Sequence, residues 1–394
     1  MHAFWYASVA AWEVACGAFL SPFGVPASSE IRRWERFCDR LTQLQRRIKF
    51  APLESFTVGD RTFPLPLETT GPSSGCPCQE EIPYLNGFFD GDGCVSMEKS
   101  HGVIHMKICQ SLDSAAVLMR FRDFLGGGIY RHSDRTGTKE ATLQWKVHGT
   151  TMQHAADVLC KFPSMQRAQL QIAAGGAVAR ADRSDMIQTL KQLKQMDHVP
   201  TTFQSSWPYF AGFFDAEGSI TVGGTYVGLH LQVHQKNPFV LEELHSFLLK
   251  HKLNKWALHS DNSRGAWKLQ CRHRATCQLT LRHLLDSGLD LKKRQADLAL
   301  SLTADNQMQV REAMFELNGN QNKYGRLDGP GIQRAKEISS VRQQLKKASQ
   351  QERELLEVKL EGLLEEHKLQ NLVTKSLRLR GSIRQSLQEG GFIV

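Results

Sequence analysis

Apolar and polar positions alternate residue by residue in four short stretches of the chain, two in each of two regions. In the first region Ile104, Met106 and Ile108 alternate with His105, Lys107 and Cys109, and Leu143, Trp145 and Val147 alternate with Gln144, Lys146 and His148. In the second, Leu229, Leu231 and Val233 alternate with His230, Gln232 and His234, and Trp267, Leu269 and Cys271 with Lys268, Gln270 and Arg272. A period of two predicts strands with one buried and one exposed face, and here every exposed face is rich in donors and acceptors. Between the strands of each region the apolar spacing becomes helical, through Phe121, Phe124 and Leu125 or Leu244, Phe247 and Leu248. Asp113 and Asn237 are the N-cap candidates, and Gly126-Gly127-Gly128 ends the first of these helices.

Each region opens with the same kind of segment. Pro83-Tyr84-Leu85-Asn86-Gly87-Phe88-Phe89-Asp90-Gly91-Asp92-Gly93 returns as Pro208-Tyr209-Phe210-Ala211-Gly212-Phe213-Phe214-Asp215-Ala216-Glu217-Gly218. A proline suits a helix's first turn and a glycine its end, so each copy predicts a short helix finishing on a carboxylate. Gly87 and Gly91, like Gly212 and Ala216, sit four apart, which places small residues on one side and lets two such helices meet backbone to backbone. That packing brings Asp92 and Glu217 side by side. Two neighbouring carboxylates repel, and divalent cations are the usual remedy, which points to phosphoryl chemistry. Asp90 and Asp215, two positions earlier, point elsewhere on the helix and are read as capping or packing the helix end. Downstream spacing repeats as well: Gln110 follows Asp90 by the same interval as Gln235 follows Asp215, and Trp145 and Trp267 occupy nearly equivalent positions. Each half therefore reads helix, hairpin, helix, hairpin, helix.

Leu85 to Gly93 and Phe210 to Gly218 resemble the nine-residue motif of the LAGLIDADG homing endonucleases, in the single-chain type with two motifs. The resemblance spans roughly residues 81 to 305. It implies an α+β fold of two pseudo-symmetric αββαββα repeats forming one saddle-shaped antiparallel sheet surface, acting as a monomer. The implied activity is site-specific double-strand cleavage of DNA with Mg2+, the cation favoured because the ligands are all oxygen. Asp92 and Glu217 are the implied metal ligands, with the backbone carbonyls of Gly91 and Ala216 completing coordination. A glutamine on the first hairpin and a lysine near the last helix organise water and charge in the family, which assigns Gln110, Gln235 and Lys292. Aligning Ala168 with Ala296 sets Ser164 opposite Lys292, with Lys161 nearby, so the first half departs from the pattern. A two-stranded ribbon fits the major groove, where arginine, lysine, glutamine and histidine read base edges. His105, Lys107, Gln144, Lys146 and His148 are assigned to one DNA half-site, and His230, Gln232, His234, Lys268, Gln270 and Arg272 to the other. A maturase-like protein bound to structured intron RNA and a catalytically inactive nucleic-acid scaffold are the alternatives.

Composition adjusts this picture at its edges. The 394 residues carry 49 Lys and Arg against 40 Asp and Glu, a net charge of +9, which favours a polyanionic partner. Nine scattered cysteines, odd in number, argue against a disulfide framework and for a reducing intracellular compartment. Cys76-Pro77-Cys78 lacks a second pair at zinc spacing and reads as a loop. The apolar run before Ser28 is interrupted by Glu13 and is too short for a transmembrane helix, and no membrane partner is expected; its composition fits neither a secretory nor an organellar leader well, and a mitochondrion or plastid stays open. Residues 1–80 read as an extension and linker, with a basic helix over Ile31–Lys49 and a turn-rich link over 51–80. The repeats are 81–175 and 206–305, joined by a polar helical tether at 176–205, and 306–394 reads as a helical extension in which Ile338, Val341 and Leu345, then Leu356, Leu360 and Leu363, recur at helical spacing.

Overall fold

The computed structural model describes residues 28–68, 71, 81–98, 102–137, 139–176, 178–179, 182–195, 204–223, 227–261, 265–317 and 324–394. The run before Ser28, the Cys76-Pro77-Cys78 loop and the Pro200-Thr201-Thr202 break lie outside the described residues. The chain divides into two compact units, Gln45–Lys323 with Gln385–Val394, and Met1–Leu44 with Tyr324–Arg384.

In chain order, helix α1 spans Ser28–Arg46 and is followed by strands β1 (Ile48–Lys49), β2 (Ser55–Val58) and β3 (Arg61–Pro64). Next come α2 (Glu81–Asp92), β4 (Gly93–Met97), β5 (Ile104–Ser111), α3 (Ala115–Leu125), β6 (Gly128–Ser133), β7 (Thr142–His148), α4 (Gly149–Cys160) and the shorter α5 (Arg167–Gly175). Helix α6 (Arg183–Gln195) precedes α7 (Trp207–Glu217), β8 (Gly218–Val222), β9 (Leu229–Gln235), α8 (Pro238–Lys250), β10 (Trp256–Asp261), β11 (Ala266–Cys271), α9 (Arg274–Asp286) and α10 (Lys293–Leu300). The remaining elements are α11 (Gln307–Leu317), α12 (Gly329–Leu345), α13 (Gln350–Gln388) and β12 (Phe392–Ile393), the last paired antiparallel with β1.

The fold is α+β, and the same αββαββα succession occurs twice, each time closed by one further short helix. The two four-stranded sheets have the same order, β4-β5-β7-β6 and β8-β9-β11-β10, with every neighbouring pair antiparallel. Ile104, Met106 and Ile108 are buried, as are Leu143, Trp145 and Val147, and Leu229, Leu231 and Val233. The period-two pattern thus sets which face of each sheet meets the helices. Asn237 caps α8 as expected, its side chain accepting from the Phe239 amide at 2.9 Å. Asp113 does not cap α3: it lies inside a 3-10 turn, Leu112–Ser114, and Ser114 stands at the cap position. The turn-rich stretch expected as a link also differs, because β2 and β3 form a hairpin whose Phe56 is buried in the main core.

Helices α2 and α7 occupy the centre of the larger unit. Tyr84, Leu85, Phe88 and Phe89, and Tyr209, Phe210, Phe213 and Phe214, are all buried. A helix apolar on every side belongs inside a core, and these two pack on each other. A Cβ on Gly87 would overlap the Tyr209 carbonyl oxygen and stand 2.9 Å from the Phe213 amide nitrogen. One on Gly212 would overlap the Tyr84 carbonyl oxygen and stand 2.9 Å from the Phe88 nitrogen. The contact is therefore backbone against backbone, with two-fold correspondence. One turn further on, a Cβ on Gly91 would run into the Ala216 methyl group.

The smaller unit is helical. On its α1, Glu35 pairs with Lys368 of α13 at 2.8 Å, and Cys38 lies 3.4 Å from the Leu372 carbonyl. Asp328 caps α12 by accepting from the Gly331 amide at 2.8 Å and also meets Thr374 of α13. Ile31, Ile332, Ile338, Val341, Leu369, Leu379 and Ile383 are buried in this unit. Among the described residues no helix is long and apolar enough to cross a membrane.

The glycine contact makes a direct expectation. Gly87→Ala forces a methyl group into opposing backbone, which has no side-chain freedom to yield, and is expected to cost about 3 kcal/mol or more. Gly175→Ala, whose added Cβ meets nothing within 4 Å, is expected to be neutral or slightly stabilising. Urea unfolding of the two variants checks this, and equal midpoints would contradict it.

Candidate active site

The site lies where α2 and α7 end. Close approach at Gly91 and Ala216 leaves the terminal residues of the two helices, Asp92 and Glu217, as neighbours, and each is met by the glutamine of its own repeat. Gln110 Nε2 donates to Asp92 Oδ2 at 2.7 Å, and Gln235 Nε2 to Glu217 Oε1 at 3.4 Å. Burial raises the Glu217 carboxyl first and the Asp92 charge raises it further, to about 7, against the opposing pull of Lys292 and Gln235. Asp92 is also raised, by desolvation, with Gln110 and Lys292 acting the other way. Lys292 is lowered by burial, offset by Asp215, Asp92 and Glu217. Two acids and one cation thus feel each other at one spot, with the acids short of counter-charge.

Among the described residues no group of three or more His, Cys, Asp and Glu forms a metal cage. Asp92 and Glu217, which end α2 and α7, are the carboxylates that would offer oxygens to a cation. An all-oxygen set with few protein ligands suits Mg2+, which keeps water and substrate oxygens in its shell.

Asp90 and Asp215 do the capping work expected of them, and more. Asp215 Oδ2 accepts from the Asp290 and Leu291 amides at 2.7 and 3.2 Å, and Oδ1 from the Lys292 amide at 2.9 Å. Asp90 accepts from the Met165 and Gln166 amides at 2.6 and 3.1 Å and from Ser164 Oγ at 2.7 Å. Each aspartate therefore anchors the turn that opens the last helix of its own repeat, α10 or α5. The partner tyrosine comes from the opposite repeat: Tyr84 donates to Asp215 Oδ2 and Tyr209 to Asp90 Oδ2, both at 2.8 Å. Desolvation by burial leads the rise of Asp90 to about 6, with these hydrogen bonds acting against it.

These anchors correct the alignment of the two halves. The amide of Lys292 binds Asp215 Oδ1 as the amide of Gln166 binds Asp90 Oδ1, and both residues are N-caps with nearly the same backbone angles. Gln166, not Ser164, is the counterpart of Lys292. Ser164 instead donates its hydroxyl to Asp90 and is buried. Lys161 is an exposed C-cap residue of α4. The Lys292 ammonium donates to the Asp215 carbonyl, while Gln166 Nε2 spans the Phe89 and Gly93 carbonyls at 2.8 and 2.9 Å. The first half thus places an amide where the second places a cation.

The sheet faces opposite the helices carry the remaining assigned residues. Lys107 stands across from Lys146, Cys109 from Gln144, His234 from Lys268 and Gln232 from Gln270. Two lysines directly opposite one another repel, and an anion between them removes the cost. His148 and Arg272 are exposed, and His230 lies half-buried with its pKa lowered by burial and by Arg272. His105 differs from its expectation: it is 8% exposed, contacts Ser96 Oγ at 2.9 Å, and burial holds its pKa near 4, so it is a neutral residue packed into the sheet. Tyr130, across from Gln144, and His259, across from Lys268, share these polar faces. Strand periodicity alone did not select them, because β6 and β10 lack a clean alternation. Tyr84 and Tyr209 were also missed, although a hydroxyl at the same place in both apolar motifs was a readable signal. For Gln166 the signal was Gln169, which matches Gln295.

No protein-family model matches the chain, and no curated protein sequence matches it. The chain is similar to solved structures of LAGLIDADG homing endonucleases. One is I-GzeII in complex with its DNA target, 13% identical, covering 63% of this chain and 98% of that one with a TM-score of 0.43. Another is the meganuclease I-AabMI bound to uncleaved DNA, 17% identical, covering 60% and 91% with a TM-score of 0.42. A third is I-SmaMI bound to uncleaved DNA in the presence of calcium ions, 14% identical, covering 61% and 99% with a TM-score of 0.41.

The Glu217 carboxyl gives a pH test. Its folded pKa of about 7 exceeds the ordinary 4.5, so between those values the native state holds the extra proton. Stability from this group is complete below the lower value and is lost as pH rises through the upper one. In buffer containing EDTA, Glu217→Gln is expected to gain about 1 kcal/mol over the wild type near pH 8, after allowance for partial exposure, and nothing near pH 4.5. Thermal melts across that range measure it, and a gain independent of pH would contradict the assignment.

Proposed function

We propose that this protein is a site-specific endonuclease of the LAGLIDADG type that cuts duplex DNA with Mg2+. The observation carrying this reading is the meeting of Asp92 and Glu217 at the end of a glycine-mediated helix seam, with Gln110, Gln235 and Lys292 around them. The repeats at 81–175 and 206–305, tethered through 176–205, supply both acids from one chain, so a monomer suffices; 1–80 and 306–394 are extensions. Asp92 and Glu217, with the Gly91 and Ala216 carbonyls, are the residues that would hold the cation. Bound there, a divalent cation supplies Lewis-acid stabilisation of charge developing on the phosphodiester.

The chain's own groups do the rest. Gln110 holds Asp92 Oδ2 and thereby fixes the direction of that carboxylate, and Gln235 does the same for Glu217 more loosely. Lys292 brings a positive charge to the scissile phosphate, partly freed of water by burial, where each charge interaction is stronger. The polar sheet faces follow the major groove, with Lys107, Lys146, Lys268 and Arg272 for phosphates and guanine edges and Gln144, Gln232 and Gln270 for adenine edges. His148, His230 and His234 add donors and acceptors to the same surface. Gln166 favours a second reading, a protein that nicks or only binds, because one half-site lacks its cation.

Substituting the acids tests the main reading. Asp92→Asn and Glu217→Gln are expected to abolish cleavage of a site selected from a randomised duplex library while leaving its binding in Ca2+ within a few-fold. Undiminished cleavage by both variants would reject the metal assignment, and a preference for folded RNA over duplex at matched salt would turn the reading to RNA.

The asymmetry of the two halves sets a second expectation. Loss of one well-placed charge stabiliser costs about 100- to 1000-fold in rate, so the strand served by Gln166 is expected to be cut more slowly and nicked plasmid to accumulate. Gln166→Lys is expected to speed that strand, and Lys292→Met to slow the other. Rates measured with each strand end-labelled decide it, and equal rates unaffected by either change would show that the asymmetry is without consequence.

A further inference from the structure

Each motif aspartate serves both repeats. Asp215 lies on α7 and anchors the turn at Asp290, Leu291 and Lys292 of its own repeat, but its Oδ2 also receives the hydroxyl of Tyr84 from α2. Asp90 is bound in the mirrored sense, to Met165 and Gln166 of its own repeat and to Tyr209 of the other. Both tyrosines are buried, and burial together with the facing aspartate raises their pKa far above the ordinary range, so each hydroxyl remains a donor. The ring of Tyr84 is covered by the Arg120 guanidinium at 3.9 Å, and Arg120 is itself ion-paired with Glu81. The ring of Tyr209 stacks on Phe213. Neither hydroxyl can turn away without losing a buried hydrogen bond.

We infer that Tyr84 and Tyr209 are positioning residues that act across the seam: Tyr84, through Asp215, sets Lys292 of the second repeat, and Tyr209, through Asp90, sets Gln166 of the first. The wiring is crossed because the glycine contact places each tyrosine, six residues before its own aspartate, against the opposite helix. A residue of one half therefore orders the variable position of the other, and the two half-sites are built as one unit. Without the Tyr84 hydroxyl, Asp215 Oδ2 keeps two amide donors. Without that of Tyr209, Asp90 Oδ2 keeps the Met165 amide alone.

The test is amide hydrogen exchange in Tyr84→Phe and Tyr209→Phe. Phenylalanine keeps the ring and its packing, and circular dichroism verifies that each variant is folded. Tyr84→Phe is expected to speed exchange of peptides covering 288–293 about tenfold, the effect of removing one hydrogen bond to a charged group, while those covering 164–167 stay unchanged. Tyr209→Phe is expected to give the reverse. Faster exchange in the same repeat as the substitution, in both turns equally, or in neither would overturn the inference.

A kinetic arm rests on the endonuclease reading. Tyr84→Phe is expected to slow only the strand that Lys292→Met slows, whereas general destabilisation would slow both. If the wild type cleaves nothing, that reading fails, and the exchange pattern still decides whether the wiring is crossed.

Discussion

Everything at the centre of this protein depends on the distance between two helix backbones. Gly87 and Gly212 leave no side chain between α2 and α7, so each helix presents its amides and carbonyls directly to the other. A larger residue at either position would separate the helices, and their terminal carboxylates with them. The approach is bought with conformational entropy, since glycine inside a helix is unfavourable by about 1 kcal/mol relative to alanine. The apolar flanks formed by Phe88, Phe89, Phe213 and Phe214 offset this, being fully buried on both helices.

Because the helices are buried on nearly every side, their polar groups need partners from neighbouring elements. Asn86 donates to the Leu159 and Pro163 carbonyls at 3.0 and 3.3 Å. Asp90 and Asp215 find amides of the following turn and a tyrosine of the other repeat. These polar contacts do what apolar packing cannot: they fix the turns that precede α5 and α10, and so the places of Gln166 and Lys292. The symmetry of the backbone is thereby kept while the chemistry at one equivalent position differs.

The sheets contribute through register. Antiparallel pairing sets Lys107 against Lys146 and, in the other sheet, Lys268 beside the polar His234, so positive charge is gathered on the polar faces. Such charge is a cost in the isolated protein and an asset against a polyanion. The apolar face of each sheet is held by the helices, so the two sets of side chains cannot exchange roles without a slip of one residue in register.

How much of this was legible in the chain follows from the range of the interactions involved. Strand faces, the duplicated helix and its small-residue side were readable because they arise from periods of two and four along the chain, and the structure has them where the pattern placed them. The neighbouring acids Asp92 and Glu217 followed from the same glycine spacing. Asp113 was misread because an Asp-Ser pair supports either a cap or a 3-10 turn, and here Asp113 lies within the turn. His105 alternates correctly yet is buried, since Ser96 on the adjacent strand covers it. The counterpart of Lys292 was misplaced by two residues, because the halves were aligned on Ala168 and Ala296, whereas Gln169 and Gln295 give the register that the structure has. Only the folded aspartates, by choosing which amides they bind, determine that Gln166 stands there. The sequence by itself determined the repeat, its elements and its acids, all matters of local period. Tertiary structure decided the crossed tyrosine contacts and the equivalence of the two halves, because those depend on which groups meet across the seam.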